Sequence, residues 1–198
     1  MVGCSQVPSQ RAYLNTIKVA AKHQNHGEFV LAENYHQKVL NEMWEGSSVS
    51  PDWLVIQMNN LASAKNLNNK SDEARVLLTQ AYEILSTKEQ SDDGDIVLIE
   101  SNLARTEELL ENYERSELLY RSSLERKLKI EDARLSFIAA DLAGIARMLA
   151  RKNKMDEAMG FHLKAKDMYA KSLGVNSLQW QRRVKLFEAI MNTQGNNK

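Results

Sequence analysis

The sequence predicts an all-α fold: a right-handed α-solenoid of antiparallel helix pairs, with four repeats and a C-terminal capping helix. Three observations predict it. A small residue recurs at Ala20, Ala62, Ala104 and Ala146, in steps of 42 residues, and self-similarity at a fixed period is the signature of stacked repeats. A second small residue follows each by twelve positions, at Ala32, Ala74, Ser116 and Ala158. Helix breakers are scarce, with 2 prolines and 8 glycines in 198 residues, which favours helix throughout.

Each unit divides into helices A and B. The pairs are expected near residues 9–43, 52–86, 95–128 and 136–171, within a single repeat domain spanning 9–192. A large aliphatic precedes each first-column alanine, at Val19, Leu61, Leu103 and Ile145. On helix B, Tyr35, Leu77, Leu119 and Phe161 follow the second column, next to His36, Leu78, Tyr120 and His162. A further column stands at Val39, Ala81, Ser123 and Ala165. In the second unit, Ser50 is placed to cap helix A, Pro51 fits its first position, and Trp53, Ile56, Met58 and Leu61 follow helical spacing. Short polar turns such as Asn68-Asn69-Lys70-Ser71 make A and B antiparallel neighbours. The paired small residues let the two backbones approach, where a bulky side chain would cost roughly 1–3 kcal/mol. A last helix near 177–192 carries Glu188 in the alanine column, as suits a cap with no partner helix after it. Residues 1–8 are expected to be a flexible segment and 193–198 a disordered tail.

These columns resemble the tetratricopeptide repeat, whose usual period is 34. At 42, the chain is more similar to the kinesin light chain subclass. Met58-Asn59-Asn60-Leu61-Ala62 resembles that subclass's leucine-asparagine-asparagine-leucine-alanine signature, Ser101-Asn102-Leu103-Ala104 is a partial copy, and Leu173-Gly174 matches its loop leucine-glycine. Lys18 and Gly144 depart from the asparagine column, and the loop histidine-proline is missing. The resemblance implies a concave face lined by A helices and a protein-binding role, a role that the repeat alone does not specify further.

Hydrophobic residues make up 43% of the chain and charged residues 26%, an ordinary globular balance. Lys/Arg and Asp/Glu cancel at 26 each, but from residue 140 onward there are 11 basic against 5 acidic residues, leaving 15 against 21 before it. Such a split can steer an acidic partner toward the C-terminal half. The one cysteine excludes an internal disulfide, and no apolar run reaches the roughly 20 residues of a membrane span. A cytoplasmic location is expected. The opening Met1-Val2-Gly3-Cys4-Ser5-Gln6 also resembles the end of a bacterial lipoprotein signal. The alternative expectation is therefore lipidation at Cys4 and a membrane-anchored protein that assists assembly of an envelope machine.

The helix A positions turned away from helix B form three columns. They read Lys18, Asn60, Asn102, Gly144; then Ala21, Ser63, Arg105, Arg147; then Asn25, Leu67, Leu109, Arg151. An asparagine amide donates and accepts at once, so Asn60 and Asn102 can hold an extended peptide backbone. Arg105, Arg147 and Arg151 offer forked donors for carboxylates. The expected peptide site is Lys18, Asn25, Asn60, Ser63, Asn102, Arg105, Arg147 and Arg151, and the expected ligand an extended, partly acidic segment. The lysines of the family's clamp for a free C-terminal carboxylate are absent beside Asn60, so chaperone-tail binding is not expected.

No metal site is expected from His23 and His26, since further ligands are wanting. His36 and His162 read as packing residues, and Met148, Met155, Met159 and Met168 as core filler. Glu107-Glu108 and Asp92-Asp93 read as exposed carboxylates. With no phosphate loop or nucleophile elbow in the chain, neither an enzyme nor a cofactor is expected. The partner is expected to be a protein or peptide, and the chain a monomer or weak homodimer. Nucleic acid is a lesser alternative, resting on Trp180, Arg182, Arg183 and Lys185, because the whole chain lacks net positive charge.

Overall fold

The computed structural model describes residues 10–46, 49–87, 93–174, 181 and 185–190. The fold is an all-α helical-repeat solenoid, as expected. Among the described residues, eight long helices follow in order: α1 (Gln10–Asn25), α2 (Phe29–Glu45), α3 (Pro51–Leu67), α4 (Ser71–Ser86), α5 (Asp93–Leu109), α6 (Tyr113–Lys127), α7 (Leu135–Arg151) and α8 (Met155–Leu173). They form two compact units, Met1–Ser91 with α1–α4 and Asp92–Lys198 with α5–α8. Within each, consecutive helices pack as neighbours.

The 42-residue period is written into the backbone. Gly27, Asn69, Glu111 and Asn153, one period apart, are the four described residues that adopt positive φ in the A–B turns, at 80°, 59°, 61° and 59°. Each turn closes with the same pair of bonds. In the second, the Lys70 N–H donates to the Lys65 carbonyl at 2.9 Å and the Asn69 N–H to the Asn66 carbonyl at 3.3 Å. This is the Schellman arrangement, which satisfies the last carbonyls of helix A and needs one left-handed residue. Next to it, the Ala74 N–H donates to the Lys70 carbonyl and starts helix B.

Both small-residue columns are fully buried. Ser116, the one hydroxyl among them, donates to the Ala104 carbonyl at 2.8 Å and so bonds α6 to α5. Pro51 stands at the start of α3 and Ser50 at its cap position, but the Ser50 side chain makes no capping bond. Ile56, expected on the core face, is turned outward, while Val55, Met58 and Leu61 are buried. The reason is that α3 packs against both α2 and α4, so its buried stripe is wider and rotated from a single-face pattern.

In the first unit, charged side chains join the helices. Glu33 of α2 accepts from Lys65 of α3 at 3.0 Å, from Lys70 at 2.9 Å and from Asn68 at 2.6 Å. Burial alone would raise its carboxyl, but these three bonds outweigh that and hold it at about 2. In the second unit, α7 is buried almost throughout. Asp141 there pairs with Lys127 at 2.7 Å and accepts from Ser123 and Ser101. Residues 185–190 are helical, and their Phe187 and Ile190 sit in one apolar cluster with Ile145, Leu149 and Ala158. Phe187 also stacks on His162 at 4.0 Å. Glu188 is exposed. The rest of the segment 177–192, the tail 193–198 and residues 1–8 lie outside the described residues, apart from Gln181.

Candidate binding site

In the first unit a cavity of about 130 Å³ opens between α1, α2 and α3. Helix α1 supplies Ile17, Ala21, Gln24 and Asn25, α2 supplies His36, and α3 supplies Asn60 and Ser63. Asn25 and Ala21 are exposed, Asn60 and Ser63 half-buried, and His36 is buried at the back. Helical spacing puts these groups together: Ile17, Ala21, Gln24 and Asn25 follow one face of α1, and Asn60 and Ser63 one face of α3.

A buried glutamine sets the back wall. Gln57 Nε2 donates to the His36 carbonyl at 2.7 Å and lies 3.3 Å from His36 Nδ1. The neutral ring therefore accepts at Nδ1 and carries its proton on Nε2. Burial pushes the imidazole below its ordinary value. Asn60 Nδ2 reaches Gln57 Oε1 at 3.5 Å, extending the chain of amides to the cavity wall. All the lining side chains are uncharged near neutral pH.

The second unit shows what the same place looks like when filled. Eighty-four residues on, two periods along the chain, Gln24, His36, Asn60 and Ser63 correspond to Glu108, Tyr120, Gly144 and Arg147. Arg147 donates to Glu108 through Nε at 2.6 Å and Nη2 at 2.8 Å, and Tyr120 Oη donates to Glu108 at 3.1 Å. The Tyr120 ring lies so close to Gly144 that a Cβ there would sit 2.5 Å from Tyr120 Cε2. Burial acts to raise the Glu108 carboxyl, but Arg147 and Tyr120 hold it below its ordinary value.

The expected site residues are therefore distributed unevenly. Asn25, Asn60 and Ser63 come together around the first-unit cavity, and Lys18 is exposed on α1. In the second unit Asn102 is half-buried and Arg105 exposed, while Arg151 is exposed with its guanidinium 5.9 Å from the Tyr113 ring centre. Arg147 is not a free forked donor. It is 5% exposed, with Glu108 already holding its fork. Nor are Glu107 and Glu108 exposed carboxylates: Glu107 is buried and pairs with Arg115 at 3.2 Å. Sequence reasoning missed Gln24 and the cavity-facing role of His36. Comparing positions two periods apart would have found both, since small or neutral residues there replace an arginine, a tyrosine and a glutamate.

His23 contacts Glu28 and stacks on Tyr35 at 5.3 Å, and His26 is exposed. Met148 is buried, Met155 and Met168 are half-buried, and Met159 is exposed. Cys4, Trp180, Arg182 and Arg183 lie outside the described residues, as does the Asp92-Asp93 side-chain pair, and Lys185 is exposed. Among the described residues no helix is long and apolar enough to cross a membrane.

No family model matches the chain, and no curated protein does. Solved structures do match in fold. BtubC (BKLC) from P. vanneervenii aligns with a TM-score of 0.72 at 20% identity, over 91% of this chain and 74% of that one. RapI in its apo form aligns with a TM-score of 0.70 at 15% identity, over 96% and 72%. Aspartyl phosphate phosphatase F from Bacillus subtilis aligns with a TM-score of 0.66 at 12% identity, over 93% of this chain and 50% of that one. The fold is thus a tetratricopeptide-like helical repeat.

Proposed function

We propose that this chain is a protein-interaction module that acts by binding and not by catalysis, and that the α1–α3 face of its first unit holds an extended peptide segment. The observation that carries the reading is the cavity between α1, α2 and α3, around which Asn25, Asn60 and Ser63 gather. Amides and a hydroxyl on a concavity satisfy a peptide's donors and acceptors together. In the second unit, exposed Arg105 and Arg151 suit carboxylates of an acidic partner. The 42-residue period and Met58-Asn59-Asn60-Leu61-Ala62 support placing the chain with the kinesin light chain subclass. A cytoplasmic location accords with this role.

The test is affinity capture from native cell extract, comparing wild type with Asn60→Ala/Asn102→Ala/Arg105→Glu after circular dichroism shows both helical. The expected result is a protein retained by wild type and lost by the folded variant. Equal retention by both overturns the reading.

A further inference from the structure

We infer that the first-unit cavity is a specificity pocket for a single uncharged amide side chain, asparagine or glutamine, of the bound segment. The inference rests on the peptide-binding reading for its context and on the cavity for its chemistry. At about 130 Å³ the cavity has room for one side chain or a few waters. The two units, built from the same repeat, supply the comparison. In the second, the equivalent place is filled from within by Arg147, neutralised by Glu108 and bonded through it to Tyr120. In the first, arginine becomes Ser63, glutamate becomes Gln24 and tyrosine becomes His36. Both members of the ion pair are gone at once, and the space they would fill is left open to the outside.

That joint loss selects the ligand. A cation entering the pocket finds Gln24 where its carboxylate would be, and an anion finds Ser63 where its guanidinium would be. Either charge gives up part of its water without gaining an ionic partner, which is unfavourable. An apolar side chain fares poorly for the converse reason, because it strips water from Asn60, Ser63 and His36 and returns no hydrogen bond. A carboxamide has a carbonyl acceptor and an NH₂ donor on one planar group. Ser63, Gln24, Asn60 and His36 line the wall, and their hydroxyl, carboxamides and imidazole carry both donors and acceptors. Ile17 and Ala21 line the remaining wall, against which the side-chain methylenes can pack.

The experiment is an NMR titration of the ¹⁵N-labelled full chain with N-acetyl-asparagine N-methylamide and its glutamine counterpart. The capped aspartate, arginine and leucine serve as comparisons. Shifts at the side-chain amides of Gln24, Asn25 and Asn60 are expected with the capped amides, with binding at least about tenfold weaker for the charged and apolar probes. Filling the pocket as the second unit does, with Gln24→Glu/Ser63→Arg, is expected to abolish the shifts, and Ser63→Leu alone is the second filling variant should the first not fold. Absence of amide binding, equal response to capped leucine or a charged probe, or undiminished binding in a folded filled variant each overturn the pocket assignment. The capture experiment fails or succeeds separately. Amide selectivity without a groove-dependent partner keeps the pocket and removes the peptide reading, and the opposite pair of results does the reverse.

Discussion

At the residue scale, the two units reach opposite solutions at the same position of the repeat. Gly144 is small because Tyr120 lies against it, and Tyr120 is held there by its bond to Glu108. The Gly144→Ala substitution pushes a methyl into the edge of that ring. The ring cannot retreat without breaking its bond to Glu108, which also receives Arg147. The expected cost is about 1–3 kcal/mol, read as a lower midpoint in urea at constant slope. An unchanged midpoint would mean that Tyr120 moves aside freely and that the network does not position it. Asn60 occupies the same column in the first unit, where His36 stands in place of tyrosine and is tied to Gln57. A column is thus a backbone position and not a role: it seals the second unit and lines a cavity in the first.

At the element scale, the A–B turns are the most faithful copies in the chain. All four make the same two backbone bonds around a residue of positive φ, yet their sequences share little. Gly27 suits that conformation and Glu111 does not, since a Cβ there meets the following carbonyl. Glu111→Gly is therefore expected to stabilise by about 0.5 kcal/mol, the relief of left-handed strain exceeding the extra unfolded-state entropy of glycine. Gly27→Ala is expected to destabilise by about 1 kcal/mol. Parallel urea melts of the two variants check both signs, and matching signs would show that turn strain is not what sets them. The period and the alanine columns were legible in sequence because close helix packing admits only small side chains. The turn conformation was not legible, because the Schellman bonds are made by backbone and constrain one φ angle without dictating a residue. The outward turn of Ile56 was hidden for a related reason: a helix packed on two neighbours has no single apolar face to read.

At the scale of the whole molecule, each unit carries a carboxylate that joins successive helix pairs, and these two lie 84 residues apart. Glu33 bonds to Lys65, Lys70 and Asn68, and Glu117 to Arg121 and Lys152. Neither role was visible in sequence, where charged residues on helices read as solvated faces. The site was half legible for the same reason. Exposed Arg105 and Arg151 and buried Arg147 look alike until their partners are known, because the pairing of Arg147 with Glu108 spans 39 residues. The two joining carboxylates have a consequence for acid stability. Burial raises each carboxyl, but the surrounding donors and cations outweigh it, so Glu33 titrates at about 2 in the folded chain and Glu117 below its ordinary value. A carboxyl depressed by folding stabilises fully above its unfolded value of 4.5 and loses that contribution as pH falls toward the folded value. For Glu33 the window is pH 4.5 down to about 2, and its contribution at neutral pH is about 3 kcal/mol. Glu33→Gln/Glu117→Gln is expected to lower stability at pH 7 and to flatten its fall between pH 4.5 and 2, measured by urea unfolding at a series of pH values. A variant that loses stability equally at every pH in that window would mean that the two carboxylates act through packing alone, and that acid unfolds the chain through other groups.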